Sequence, residues 1–155
     1  MSPEIQSWLD DLQDPDDTVR QAATESLWRH WYTQKGVSGA QILVRSQTLL
    51  DAGDVRAAEA LLTESVQALP DFAEAWNRRA VLYYIEQRYW QAIADCEKVL
   101  ELVPYHFGAL HGLGLCHAEL GNYLAAIQAF RRALGVQPFA VVNERLILEC
   151  TTKLN

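Results

Sequence analysis

Apolar residues recur along the first part of this chain with the spacing of amphipathic helices. Near the amino terminus they follow at i, i+3, i+4 and i+7: Ile5, Trp8, Leu9 and Leu12. Ser2-Pro3 and Asp14-Pro15 are each typical of a helix start, because the first residue can cap the helix and proline suits its first turn. We expect the second helix to end at Gly36. Residues 1–37 therefore predict a hairpin of two helices.

The sequence of this hairpin resembles a HEAT-type repeat. The resemblance is carried by Leu9, Asp10, Asp11, Leu12, Asp14, Asp17, Val19, Arg20, Ala22, Ala23 and Leu27. In that family the Asp and the Val-Arg pair fix the turn between two antiparallel helices. We interpret the acidic residues as helix-start acids on a solvated turn, with a docking patch for a basic partner as the alternative. The aromatic cluster Trp28, Trp31 and Tyr32 is expected to pack against the next hairpin, with a ligand cage as the alternative.

From Ser38 onward the pattern repeats every 34 residues. Three sets of equivalent positions carry the repeat: Pro70, Pro104 and Pro138; Ala58, Ala92 and Ala126; and Leu62, Cys96 and Phe130. A fixed period of this length is typical of stacked units that bury their apolar faces against their neighbours. Small residues let the two helices of a unit approach, large residues fill the remaining space, and the prolines end each second helix.

The repeat is similar to the tetratricopeptide repeat (TPR) family. The third copy meets the family pattern W-x2-L-G-x2-Y … A-x3-F … P best, with Leu110, Leu113, Gly114, His117, Ala126, Phe130 and Pro138. The runs FAEAWNRRAVLYY and HFGALHGLGLC also resemble a group of small bacterial and plastid TPR proteins without an assigned activity. The resemblance implies an all-α fold, a right-handed superhelical solenoid of antiparallel helix pairs.

This resemblance predicts one continuous structural domain made of several parts. They are a HEAT-like hairpin at 1–37, three TPR repeats within 38–140 (39–72, 73–106 and 107–140), and a capping helix at 141–155. The capping helix is needed because the last repeat of a solenoid leaves an apolar face uncovered. We expect its inward face to be formed by Phe139, Val142, Leu146 and Cys150.

Two polar pairs in the second repeat have predicted structural roles. Arg79 stands where the family usually has leucine, and it precedes an A-I-A-D run that ends at Asp95. TPR variants with a similar combination imply that these two side chains meet, so we predict a partly buried ion pair between Arg79 and Asp95. Asp71 and Glu74 are predicted to form a capping box at the start of the same repeat.

Composition argues against nucleic acids and membranes as partners, and it indicates a reducing compartment. The chain has 155 residues, 21% of them charged, and a formal net charge of −7, whereas nucleic acids and anionic membranes attract a basic face. Cys96, Cys116 and Cys150 lie far apart in apolar contexts, which favours reduced core thiols over a disulfide framework. No apolar run approaches the ~18 residues of a membrane span. We therefore expect a cytoplasmic protein, or one of the plastid stroma, that neither inserts into membranes nor binds nucleic acid.

No catalytic or metal-binding constellation is recognisable. His111 and His117 are six residues apart on a predicted helix, so they point in different directions, and the chain has no CxxC or HExxH motif. Gly112-x-Gly114 lacks the third glycine of a phosphate loop, and close helix packing explains it. We therefore predict no metal, no cofactor and no enzymatic activity.

The concave surface of the solenoid remains as the candidate site. In TPR proteins the first helix of each hairpin lines it, which implies these groove residues here: Leu43, Gln47, Asn77, Arg78, Val81, Tyr84, His111 and Leu115. Such a mixture of aliphatic and hydrogen-bonding side chains suits an extended peptide or a partner helix. We predict a protein- or peptide-binding adaptor or scaffold. The alternative is a structural or self-associating module, such as an assembly factor for a larger complex, with a groove partly filled by the chain's own termini.

One TPR class binds the C-terminal carboxylate of chaperones with lysine, asparagine and arginine at fixed groove positions. The corresponding positions of this chain hold Leu43, Gln47, Arg78, Gly108 and Gly112. Only the arginine is chemically similar. We therefore predict a partner other than a chaperone C-terminal carboxylate.

Overall fold

The computed structural model describes residues 1–154, and over these residues the regular secondary structure is entirely helical. The helices are α1 (Pro3–Asp11), α2 (Asp17–Tyr32), α3 (Gly36–Asp51), α4 (Val55–Ala68), α5 (Ala73–Ile85), α6 (Tyr89–Leu102), α7 (Phe107–Glu119), α8 (Tyr123–Val136) and α9 (Val141–Thr152). The predicted all-α solenoid of antiparallel helix pairs is confirmed. None of the helices that these residues form is both long enough and apolar enough to cross a bilayer.

The first helix starts where Ser2-Pro3 predicts, but the second is capped by Asp16 and not by the predicted Asp14, and it also ends earlier than expected. Ser2 Oγ accepts a hydrogen bond from Ile5 N at 3.2 Å, and Asp16 caps α2. The prediction that α2 ends at Gly36 was wrong, because Thr33 already closes it and donates its hydroxyl to a carbonyl of the last turn. Gly36 instead has a φ of +67° and begins α3, so its left-handed conformation turns the chain into the next helix.

The three central pairs, α3 with α4, α5 with α6 and α7 with α8, stack in chain order. The equivalent alanines of the second helices, Ala58, Ala92 and Ala126, are all fully buried, so the helices approach closely at these points. Gly114 serves the same purpose on α7. A Cβ at Gly114 would lie 2.6 Å from Phe130 Cδ1, a distance that the packed ring does not allow. The core is therefore continuous from one pair to the next.

Helix α2 does not pack on α3 as one more stacked repeat would. Trp28 and Trp31 reach past the first repeat to the start of α7, where the Trp31 ring stacks on His106 with centroids 4.0 Å apart. Trp28 meets the Phe107 ring edge-on at 5.3 Å. The expected packing of the tryptophans against the next hairpin in sequence was therefore wrong, because aromatic surface is buried equally well against any complementary partner.

Both ends of α2 are tied to loops that precede later helices, α9 at its start and α5 at its end. Near its start, the Arg20 guanidinium lies 4.1 Å from the centre of the Phe139 ring. Just beyond its end, Lys35 Nζ lies 2.7 Å from Asp71 Oδ2. Helix α2 thus runs along the solenoid, across the amino-terminal ends of α5 and α7.

Helix α9 covers α8, and its predicted inward face is correct for Leu146 and Cys150 but wrong for Phe139 and Val142. Phe139 precedes the helix and Val142 is exposed, whereas Asn143 and Cys150 are buried. Leu146 and Ile147 pack beside Cys150 against Phe130 and its neighbours. The apolar pattern missed part of this face because Asn143, a polar residue, occupies an inward position. Its side chain is satisfied there by a hydrogen bond to His111.

Candidate partner-binding groove

The first helices of the second and third repeats enclose a cavity of about 220 Å³. Five of the predicted groove residues line it: Asn77, Val81, Tyr84, His111 and Leu115. They come from α5 and α7, where positions three, four or seven residues apart lie on one face of a helix. The structure therefore brings these five side chains together around one concave space.

The floor of this cavity was only partly identified from the sequence, which placed Gly108 and Gly112 at groove positions but not the other residues. It is formed by small or sulfur-containing residues: Ala80, Cys96, Gly108, Gly112 and Cys116. Gly108 and Gly112 are one helical turn apart, so α7 presents a strip without side chains. A Cβ at Gly112 would lie 3.5 Å from Cys96 Sγ, which shows how near the thiol of α6 comes. Two glycines at this spacing on a groove helix were the signal that could have predicted the hollow.

The two thiols in the floor are not nucleophiles at neutral pH. Cys96 and Cys116 are both buried, and burial raises the pKa of Cys116 to about 11. Burial likewise raises the pKa of Cys96 well above its ordinary value. Because the thiolate is the reactive form, these residues act as apolar surface.

Polar groups at the edge of the cavity are held in place by contacts with other side chains. His111 Nδ1 lies 2.8 Å from Asn143 Oδ1, a contact that ties α7 to α9. Asn77 Nδ2 donates to Glu74 Oε1 at 3.2 Å. At the far end, Tyr84 and Tyr89 form a ring pair with centroids 5.7 Å apart. These contacts fix the directions in which the polar side chains can meet a ligand.

Arg78, another predicted groove residue, is already engaged within the chain. Its Nε donates to Glu74 Oε1 at 3.3 Å and its Nη1 to Gln47 Oε1 at 3.1 Å. Its guanidinium also lies 5.3 Å from the centre of the Tyr32 ring on α2. Gln47 and Arg78 therefore form a bridge from α3 to α5 beside the cavity, and the charge of Arg78 is balanced by Glu74.

Leu43 does not belong to the groove surface, and this part of the prediction was wrong. It is fully buried in a cluster with Val66, Phe72 and Ala75. The Phe72 ring lies against the start of α3, where a Cβ at Gly39 would approach it to 3.3 Å. In the first repeat the side chain at this position is therefore part of the core. Asn77, at the equivalent position of the second repeat, borders the cavity.

The amino-terminal end of the groove is closed by α2 over a buried polar pair. Glu74 is fully buried and its Oε2 lies 3.0 Å from Nε2 of the equally buried His106. His106 Nδ1 accepts the backbone N–H of Ala109, so the neutral ring carries its proton on Nε2 and donates it to Glu74. The predicted capping box of Asp71 and Glu74 was wrong, because Glu74 turns to His106 and Asp71 to Lys35.

Glycine at position 108 makes this closure possible. A Cβ there would lie 2.7 Å from Trp28 Cη2, too close for the ring to stay in place. The Trp31 ring, only 2% exposed, then covers the flat side of His106. The groove is thus divided into a closed end under α2 and an open end that contains the cavity.

Arg79 and Asp95 join the two helices of the second repeat behind the groove. Arg79 Nε lies 2.8 Å from Asp95 Oδ2, and Arg79 Nη2 lies 2.9 Å from Oδ1, a bidentate arrangement. These hydrogen bonds raise the pKa of Arg79. A third bond, from Nη1 to Thr63 Oγ1 at 3.3 Å, reaches the preceding repeat. The bonds to Asp95 therefore hold α5 against α6, and the bond to Thr63 holds this repeat against the preceding one.

Comparison with known proteins agrees with this architecture. The tetratricopeptide repeat family model matches residues 71–138. A TPR repeat-containing protein of Rhizobium etli is 39% identical over 77 residues, covering 50% of this chain and 38% of the relative. Sperm-associated antigen 1 of Rattus norvegicus is 36% identical over 103 residues, covering 66% of this chain and 11% of the relative. Residues 71–138 are therefore similar to tetratricopeptide repeats.

A solved structure shows the same fold at low sequence identity. It is the first TPR of Spaghetti (RPAP3) bound to the HSP90 peptide SRMEEVD, with a TM-score of 0.71 and 17% identity. The match covers 74% of this chain and 91% of that one. By contrast, the chain spans only 38% and 11% of the two curated relatives. This chain thus matches most of the solved domain in fold, but only part of each of the two curated relatives in sequence.

Proposed function

We propose that this chain is a protein- or peptide-binding adaptor that holds its partner at the open end of the concave groove, between α5 and α7. The observation that supports this most strongly is the convergence of Asn77, Val81, Tyr84, His111 and Leu115 on one cavity. The apolar floor offers burial to a side chain of the partner, and the fixed polar groups at the edge offer hydrogen bonds to its backbone.

The size of the cavity favours part of a polypeptide over a free small molecule. Its volume of about 220 Å³ is below the roughly 300–1,000 Å³ of typical small-molecule sites. A peptide can place one apolar side chain in such a hollow while its backbone continues along the groove. The partner is therefore proposed to carry an apolar anchor residue.

The partner is proposed to be bound without a carboxylate clamp. The HSP90 peptide in the solved relative ends in an aspartate, and its structure shows that this fold can hold such a segment. In this chain, Leu43 is buried and Arg78 is engaged by Glu74 and Gln47. Gly108 and Gly112 offer no side chain at the remaining positions. A terminal carboxylate would therefore find no free cation here.

We also propose a binding role rather than catalysis, in a reducing compartment such as the cytoplasm or the plastid stroma. The cavity thiols are protonated at neutral pH, because burial raises the pKa of Cys116 to about 11. His111 is held by Asn143 instead of facing a nucleophile. Cys96, Cys116 and Cys150 are free and buried, as suits a protein that never forms disulfides.

Site-specific photo-crosslinking in extract of the source cell tests the proposed site. A benzophenone side chain at Val81 should capture a discrete protein partner, and the same group at Trp90, on the outer side of α6, should not. Adding Leu115→Asp, which places a charge in the cavity, should abolish the capture. Equal capture from Val81 and Trp90, or capture that survives Leu115→Asp, would contradict the proposal.

A further inference from the structure

We propose that copies of this chain stack end to end, with the outer face of α9 of one copy packed on the exposed face of α3 of the next. The proposal concerns the two ends of the solenoid, so it stands independently of the groove. It rests on the exposed surfaces of α3 and α9, on the way in which the internal repeats stack, and on the charges beside these surfaces.

Helix α3 exposes an apolar face that nothing in the described chain covers. Val37 is 74% exposed and Val44, two turns later, is 56% exposed. Together with Ala40 and Thr48 they line a broad, open hollow of about 660 Å³ along the helix. Solvent-exposed valines at this spacing form a stripe of the kind that elsewhere marks an interaction surface.

The internal repeats show that this face of α3 is a stacking surface. With the 34-residue period, Val44 and Thr48 correspond to Arg78 and Leu82 of α5, which lie with Leu62 of α4 around one small gap. In the third repeat the equivalent positions are Gly112 and Cys116, which lie beside Cys96 of α6. The same face is thus covered by the preceding hairpin in two repeats and is bare in the first.

The bare face follows from the path of the amino-terminal hairpin. A hairpin that preceded α3 as a regular repeat would cover Val37 and Val44. Here Trp28 and Trp31 instead dock at the start of α7. Helix α2 is therefore held at the groove, and the first stacking surface of the solenoid is left for another molecule.

The opposite end of the solenoid exposes a matching stripe. On α9, Val141 is 71% exposed and Leu148 is 67% exposed. They are seven residues apart, the same spacing as Val37 and Val44, so both pairs span two turns of a helix. The inward residues of α9 already pack on α8, which leaves this outer stripe without a partner in the described residues.

Charges beside the two stripes are complementary. Arg45 borders the α3 hollow and makes no ion pair within residues 1–154. Helix α9 carries Glu144, Arg145 and Glu149 on its exposed side, a net charge of −1. Arg145 Nε makes a loose contact of 3.7 Å with Glu149 Oε1, which leaves Glu144 without an ion pair within residues 1–154. An α3–α3 contact would bring two arginines together, whereas an α9–α3 contact places Arg45 near a carboxylate. The charges therefore favour a head-to-tail arrangement over a symmetric one.

Sedimentation velocity at increasing protein concentration tests this arrangement. The wild-type chain should form assemblies that grow with concentration, because a head-to-tail contact uses two different surfaces and does not close at a dimer. Val44→Asp, which blocks α3, and Leu148→Asp, which blocks α9, should each be monomeric. An equimolar mixture of the two variants should form a dimer and nothing larger, since each contributes one intact surface. Trp90→Asp, at a residue 64% exposed in the middle of the array, should assemble like the wild type.

Several results would overturn the proposal. A wild-type chain that stays monomeric up to near-millimolar concentration would exclude the contact. Loss of assembly in Val44→Asp with full assembly in Leu148→Asp would indicate a symmetric α3–α3 dimer instead. A mixture of the two variants that remains monomeric would show that α3 and α9 are not each other's partners. Unchanged thermal melts of the single variants ensure that these readings reflect the surfaces and not unfolding.

Discussion

The Trp31 indole stacks on the His106 imidazole, with ring centroids 4.0 Å apart and an angle of 19° between the planes. His106 in turn donates its Nε2 proton to the buried Glu74 and caps α7 through Nδ1. One contact thus joins α2 to two of the first helices that line the groove. It explains why the amino-terminal hairpin lies along the groove and not on α3.

Replacing Trp31 with alanine should destabilise the protein strongly. The side chain is 2% exposed and lies against four aromatic rings, so its removal leaves a large cavity. We expect the free energy of unfolding in urea to fall by about 3–5 kcal/mol. Trp31→Phe should cost less, because the buried indole N–H has no hydrogen-bond partner to lose among the described residues.

Trp90→Ala is the matched control for this change, since Trp90 is 64% exposed. Its effect should stay within about 0.5 kcal/mol, as for other surface substitutions. A Trp31→Ala variant as stable as Trp90→Ala would show that α2 is not docked on His106.

Removing the carboxylate of Asp95 should cost more than the ion pair itself contributes. Asp95→Ala would leave the largely buried Arg79 without its two hydrogen bonds to the carboxylate. We expect the free energy of unfolding to fall by about 3–5 kcal/mol. The double variant Arg79→Met, Asp95→Leu should recover most of this loss, because it leaves no unpaired charge. Glu101→Ala, which breaks the exposed pair with Lys98, is the control and should change little. An unchanged thermal midpoint in Asp95→Ala would rule out this role.

The ion pair between Glu59 and Arg88 should make stability depend on pH in the acid range. Arg88 Nη2 lies 3.0 Å from Glu59 Oε2, and the hydrogen bonds from Arg88 hold the pKa of Glu59 below its ordinary value of 4.5. The unfolded chain therefore binds protons first as the pH falls, so the contribution of the pair is present above about pH 4.5 and lost below the native pKa.

Glu59→Gln measures this contribution directly. Because both side chains are partly exposed, the wild type should be more stable than the variant by only about 0.5–1 kcal/mol at pH 7. Urea titrations at lower pH should show the two proteins converging. A difference that grows as the pH falls would mean that the sign of this linkage is wrong.

Two glycines of the third repeat should respond to alanine in opposite ways. A Cβ at Gly114 would meet the Phe130 ring, so Gly114→Ala should destabilise the protein by about 1–3 kcal/mol. Gly135, in the last turn of α8, has no atom within 4 Å of such a Cβ. Gly135→Ala should be neutral or stabilise by up to about 1 kcal/mol, because alanine favours the helix. Equal urea midpoints for the two variants would contradict the packing described for Gly114.

The repeated part of the fold could be predicted because its signal is local and periodic. Ala58, Ala92 and Ala126 recur every 34 residues and are all fully buried, so the sequence pattern and the packing carry the same information. The open end of the groove follows from this regularity. Asn77 and His111 stand at one position of successive repeats and therefore meet at one cavity.

The remaining features depend on contacts that occur once, which a periodic pattern does not encode. Trp28 and Trp31 could bury their rings against α3 or α7. The match of Trp31 with His106 and the space that Gly108 leaves for Trp28 decide in favour of α7. Leu43 was misplaced because Phe72 covers the first repeat from the side. Asn143 was missed because its inward position is stabilised by a single partner, His111.

The position of α2 decides which end of the groove is closed, and it leaves the face of α3 bare. Nuclear Overhauser effects to the Trp31 indole protons test it most directly. We predict cross-peaks from the indole to the ring protons of His106 and Phe107, together with upfield ring-current shifts of the His106 resonances. Cross-peaks from the indole to the methyl groups of Val37 or Val44, with none to His106, would place α2 on α3 and contradict the account.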